Sequence, residues 1–287
     1  MEAKRRADNK QQEIIERRLD EYPSIKNVIG TNPDRYIVSQ DQYGGSIPPH
    51  LYEKIAVFSI GGILLVSDEE PVFRNHLQTI EELIAQHPLF QTKKFGKKLI
   101  NSFFAALSEG EVYRRLILNG LQPVSERRIT ETGSNPDYVI KFDGQEFILE
   151  IKTPYGSLQG EYAFFGEGEH ASAGFFDYDR GLFTREGMSN RTEQIIQKAI
   201  DKQVVKWLNS PHRSTPVILI INVTIGYPEV NFTVSPAHLI LPENLAGILL
   251  YRQGKSPYTR YIKISDAIPH RVENMFHFLF STKEYTL

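Results

Sequence analysis

The apolar positions change period along the chain. In residues 1–22, Ile14, Ile15, Leu19 and Tyr22 form a narrow stripe on a charged segment, which predicts a helix. Residues 23–52 are rich in Pro, Gly, Asn and Tyr and read as irregular structure. Ile55 to Val66 carries Gly61-Gly62 between apolar runs, a pattern that predicts a hairpin. Leu77, Ile80, Leu83 and Ile84 share a helical face over Asn75 to Gln86, and His87-Pro88 ends it. A further helix is expected from about Leu99 to Asn119, broken near Ser108, with Gly120 as its C-cap.

Beyond Gly120 strands take over. Leu121 to Glu131 reads as a strand, and Asp143-Gly144 between alternating, β-branched runs is the signal of a two-residue hairpin. Residues 155–189 form a long segment dense in glycine and aromatics, with six acidic side chains and two arginines; this balance favours a folded lid or a contact between protomers over a DNA-binding surface. Asn190, with Glu193 three residues on, opens a helix whose apolar face is Ile195, Ile196, Ala199, Ile200, Val204 and Leu208. Val217 to Ile225 is a β-branched run suited to a strand buried on both faces, Ala246 to Tyr251 and Tyr258 to Ile264 predict two more, and His270 to Phe280 predicts a short helix. The chain is expected to be an α/β protein.

The hairpin register carries the chemistry. With Asp143-Gly144 as the turn, Phe142 faces Gln145, Lys141 faces Glu146 and Val139 faces Ile148, so Asp137 lies opposite Glu150. Opposed side chains in an antiparallel pair have Cβ atoms about 4.5 to 5.5 Å apart, and like charges there are destabilising. A divalent cation between the carboxylates would remove the conflict. Lys152, two residues past Glu150, points to the same face, while Tyr138, Ile140, Phe147 and Leu149 make up an apolar one.

Pro136-Asp137, the hairpin, and Glu150-Ile151-Lys152 resemble the motif of the PD-(D/E)xK nuclease superfamily. The resemblance covers the hairpin alone, and the helix, strand, hairpin, helix, strand order matches the family's α-β-β-β-α-β core separately. It implies a restriction-endonuclease-like fold, a mixed β-sheet flanked by helices over residues 96–287, with 155–189 as an insertion and 1–95 as an N-terminal extension that contacts a target, a partner or a second protomer. It also implies Mg²⁺, with Mn²⁺ substituting, held by Asp137, Glu150 and the Ile151 carbonyl, and Lys152 as a protonated catalytic residue between the acids.

The family places a third acidic residue on the helix before the first core strand, and Glu109 and Glu111 both qualify. Ser108 to Glu111 spells a capping box that gives Glu111 a structural role, whereas Glu109 shares a face with Val112, Tyr113 and Leu116 and is the preferred ligand. Gln194 and Lys198, one turn apart on the later helix, could face the metal or a phosphate, or lie solvated on the outer face. Lys93, Lys94, Lys97, Lys98, Arg114 and Arg115 are the candidate nucleic-acid contacts. The implied activity is metal-dependent hydrolysis of phosphodiesters by a DNA endonuclease of restriction, defence or repair type, with RNA as the alternative substrate, acting as a homodimer or with an activating protein partner. The alternative is an inactive nuclease-fold module that binds or assembles in a nucleic-acid-processing complex.

Composition narrows this in three ways. The 287 residues hold no cysteine, which excludes disulfides and thiolate zinc and leaves oxygen ligation. A net charge of −2 means that any attraction for phosphate must come from local clusters. No apolar run approaches membrane-spanning length and the first residues are charged rather than signal-like, so the expectation is a cytoplasmic protein with no membrane partner.

Overall fold

The computed structural model describes residues 13–30, 60–67, 71–124, 135–153, 162–165, 172–175, 193–222, 235–252, 258–265, 270, 272–274 and 276. The chain falls into two compact units, residues 1–114 and 115–286, with Leu287 grouped with the first. The division lies inside a helix, nineteen residues beyond the boundary expected at 95/96.

The first unit is helical where it is described. Helix α1 covers 13–19 and buries Ile15 and Leu19. The segment expected to be irregular contains a second helix, α2 (Pro23–Ile29), because Pro23 occupies its first turn and Glu81 accepts from the Ser24 and Ile25 amides at 2.8 and 2.9 Å. Residues 31–59 lie outside the described set. The hairpin expected around Gly61-Gly62 is a helix, α3 (Ile60–Val66). Ile60, Ile63 and Leu64 are fully buried at helical spacing, and the paired glycines, read as a turn, are buried positions of that helix.

Helix α4 (Pro71–Gln86) begins four residues earlier than expected and stops before Pro88 as predicted. The long helix that follows breaks at Ser102, giving α5 (Lys93–Asn101), capped by the Thr92 hydroxyl, and α6 (Phe103–Leu118). Ser108 is therefore mid-helix, bonding back to the Phe104 carbonyl at 2.7 Å, and the capping box at Ser108 to Glu111 does not form. Gly120 takes positive φ (76°) after α6, as a C-cap requires.

The second unit is built on an open, five-stranded mixed sheet flanked by helices, in the order β1-β2-β5-β6-β7. Its strands are β1 (Tyr138–Phe142), β2 (Gln145–Lys152), β5 (Val217–Asn222), β6 (Leu245–Arg252) and β7 (Tyr258–Lys263). The hairpin β1-β2 and the pair β6-β7 are antiparallel; β2-β5 and β5-β6 are parallel. Between β2 and β5 the chain makes a two-stranded antiparallel sheet, β3 (Tyr162–Phe165) and β4 (Ser172–Phe175), within the long insertion. The rest of 155–189 lies outside the described residues, as do 125–131 of the expected first core strand; its Val124 forms a two-bond bridge with Val139.

Helix α7 is described over 193–208; its expected cap at Asn190 is outside the described residues. Ile195, Ile196, Ala199, Ile200, Val204 and Trp207 pack on Val139, Ile148, Val217, Leu219, Ile221, Ile248 and Leu250. Through Ile200–Val204 the helix opens into a π turn. A 3.6-residue period does not extend across such a turn, and Leu208, expected on the apolar face, is half-buried while Trp207 is fully buried. On the opposite face Phe276, from the helical segment after His270, stacks on Tyr261 at 6.1 Å.

Candidate active site

The Asp143-Gly144 turn sets the site. Both residues have positive φ (48° and 84°), the backbone of a tight hairpin, and the register that follows is Phe142 with Gln145, Lys141 with Glu146, Val139 with Ile148 and Tyr138 with Leu149. Continued one step past the strand, this register sets Asp137 against Glu150, whose carboxyl feels the Asp137 charge. The next pair would be Pro136 with Ile151. Proline has no N–H, so that rung cannot be completed in the ordinary way. The Ile151 amide instead donates to Asp137 Oδ2 at 2.7 Å, which fixes the aspartate. The Ile151 carbonyl, aimed at the same missing rung, has no amide donor at position 136.

Glu150 projects from β2 to the same face as Ile148, which is the face α7 covers. Both sheet faces are thus buried here, where the sequence pattern marked only the face of Tyr138, Ile140, Phe147 and Leu149. Glu150 is 1 % exposed. Trp207 Nε1 donates to its Oε1 at 2.8 Å, and Lys206 Nζ lies 3.0 Å from the same oxygen. Burial first, and the Asp137 charge second, push the Glu150 carboxyl up to about 8, against the opposing pull of Lys206 and Trp207. The two donors favour the anion; desolvation and the neighbouring carboxylate prevail over them.

Lys152 is half-buried on the same face. Its ammonium is less basic than an ordinary lysine, because of burial first, then the Lys202 charge; Asp137 pulls the other way and Lys198 adds to the lowering. Besides the acids that were expected to keep Lys152 protonated, two lysines of α7 act on it. Lys198, Lys202 and Lys206 follow one another at intervals of four on α7, with Lys198 and Lys202 exposed.

The other expected residues are placed as follows. Gln194 and Lys198 are both exposed positions of α7, and the Lys198 charge acts on Lys152. Glu109 and Glu111 belong to the first unit, where Glu109 is ion-paired with Lys98. Lys93, Lys94 and Lys97 are exposed on α5, whereas Lys98, Arg114 and Arg115 are partly buried. Among the described residues, no group of three or more His, Asp or Glu side chains is arranged to hold a metal. The pair Asp137 and Glu150 offers a hard, all-oxygen donor set with the Ile151 carbonyl beside it, which fits Mg²⁺, an ion that keeps several waters and takes one or two carboxylates.

Lys202, Lys206 and Trp207 were not singled out as site residues by sequence reasoning. The spacing Lys198, Lys202, Lys206 was available as a signal, but the contacts to Glu150 span more than fifty residues and depend on the π turn. No family model, curated protein or solved structure matches this chain. No helix among the described residues is long and apolar enough to cross a membrane.

Proposed function

We propose that this chain is a metal-dependent nuclease with a restriction-endonuclease-like core of the PD-(D/E)xK kind, hydrolysing phosphodiester bonds, with DNA as the preferred substrate. The observation that carries the reading is the continuation of the hairpin register that sets Asp137 against Glu150, next to the Pro136–Ile151 rung that proline interrupts, with Lys152 on the same face. Two carboxylates opposed in this way repel, the more so with one of them almost fully buried.

Asp137, Glu150 and the Ile151 carbonyl would hold Mg²⁺. When bound, the ion supplies a polarised phosphate oxygen and an activated water. The rest falls to the chain. Asp137 is positioned by the Ile151 amide before any ligand arrives. Lys152, with its lowered basicity, sits where it can orient the attacking water or donate to charge developing on the phosphate oxygens. Lys198 and Lys202 extend the positive charge outward from Lys152 and would seat the scissile or a flanking phosphate.

One observation favours a second reading, an inactive nuclease-fold binding module: Glu150 already has a cation, Lys206, at 3.0 Å. Incubating the protein with supercoiled plasmid, linear duplex, single-stranded DNA and RNA, in Mg²⁺, Mn²⁺ or EDTA, separates the two. Cleavage that needs the metal supports the nuclease and ranks its substrates; failure to cut any of them in either metal favours the binding module.

A further inference from the structure

We infer that Lys206 is a built-in counter-ion that stands in for the metal at Glu150 and must give way when a divalent cation binds, so that this lysine sets the metal affinity of the site. The inference rests on the reading of Asp137 and Glu150 as a metal pair, and it assigns a role to a residue that the hydrolysis itself does not use.

Four observations meet at this side chain. Glu150 is buried against α7, where the anionic form that a metal ligand requires is reached only beside a compensating charge. Lys206 Nζ supplies one, 3.0 Å from Oε1, while the same ammonium lies 3.1 Å from Gln203 Oε1 and 5.0 Å from the centre of the Trp207 ring. Trp207 Nε1 donates to that same Oε1, so ammonium and indole converge on one oxygen of one carboxylate. The Lys206 side chain keeps 26 % of its surface exposed, so a long, flexible chain can swing outward without unpacking the helix.

A divalent ion shared with Asp137 would lie within a few ångströms of the ammonium. Repulsion at that range, at an effective dielectric of about 20, is several times thermal energy. Metal and Lys206 therefore compete for Glu150. The sequence has a single tryptophan, Trp207, and its indole is bonded to the contested carboxylate, so its fluorescence reports the exchange directly.

The test is titration of the full-length protein with MnCl₂, followed by calorimetry and by tryptophan emission, for wild type, Lys206→Met and Lys206→Arg. Circular dichroism checks that each variant is folded. Lys206→Met is expected to bind Mn²⁺ roughly tenfold more tightly than wild type, since it removes the competing charge, and Lys206→Arg is expected to bind no more tightly than wild type. Should the methionine variant not fold, Lys206→Gln removes the charge while keeping a donor, and the same tightening is expected. Measurable Mn²⁺ binding in wild type that is unchanged or weaker in the neutral variants would overturn the inference and leave the metal site standing. No binding in wild type or in a folded neutral variant would remove both.

Discussion

Glu150, buried, and His76, half-buried, are titratable groups whose effects on stability run in opposite directions. The Glu150 carboxyl is raised from an ordinary value of 4.5 to about 8 by burial and the Asp137 charge. Between those values the folded chain holds a proton that the unfolded chain has released. Its contribution to stability is thus full below about pH 4.5 and lost as pH rises through about 8. His76 is packed edge-on against Phe104 and near Phe73, and burial lowers it from 6.5 to about 4. There the unfolded chain binds the proton first, so stability is full above about pH 6.5 and lost as pH falls toward 4. Metal-free Glu150→Gln is predicted to lose the alkaline decline in melting temperature, and His76→Phe the acidic one. Melting curves from pH 4 to 9 check both, and a Glu150→Gln profile parallel to wild type would contradict the burial argument.

At the scale of elements, the hairpin was legible because its turn chemistry and side-chain period leave one register open. Asp143-Gly144 fixes the loop, and one wrong step would put Lys141 where Ile140 packs opposite Phe147. The helix α3 was not legible, since Gly61-Gly62 serves a turn or a close helix contact equally well until neighbours are known. The same holds for the contacts of Trp207 and Lys206, which the π turn takes out of regular period. Helix α2 shows what one remote residue can do: seven residues are too few for a stable isolated helix, and Glu81 satisfies two of its leading amides. Glu81→Ala is predicted to destabilise the first unit by about 2 kcal/mol, as expected for losing charged hydrogen bonds at a helix start. Chemical denaturation checks it, and a change within about 0.5 kcal/mol would show that water replaces the carboxylate.

For the whole molecule, charge is the deciding property. The chain is nearly neutral, so affinity for a polyanion has to come from a local array. Lys198 and Lys202, exposed beside Lys152, are such an array; Lys93, Lys94 and Lys97 on α5 are a second, within the other unit. The double variant Lys198→Ala/Lys202→Ala is predicted to weaken duplex binding at low salt and to reduce the slope of log affinity against log salt by about 2. A binding curve with unchanged slope would take these lysines off the substrate path.

The measurement that bears most directly on the central claim is plasmid cleavage in Mg²⁺ by wild type and Lys152→Ala at equal, saturating protein. The account predicts metal-dependent nicking or linearisation by wild type, abolished by EDTA, and a folded Lys152→Ala that still binds metal but does not cut. Cleavage at the wild-type rate by Lys152→Ala would contradict it, because the activity would then arise somewhere other than the face shared by Asp137, Glu150 and Lys152.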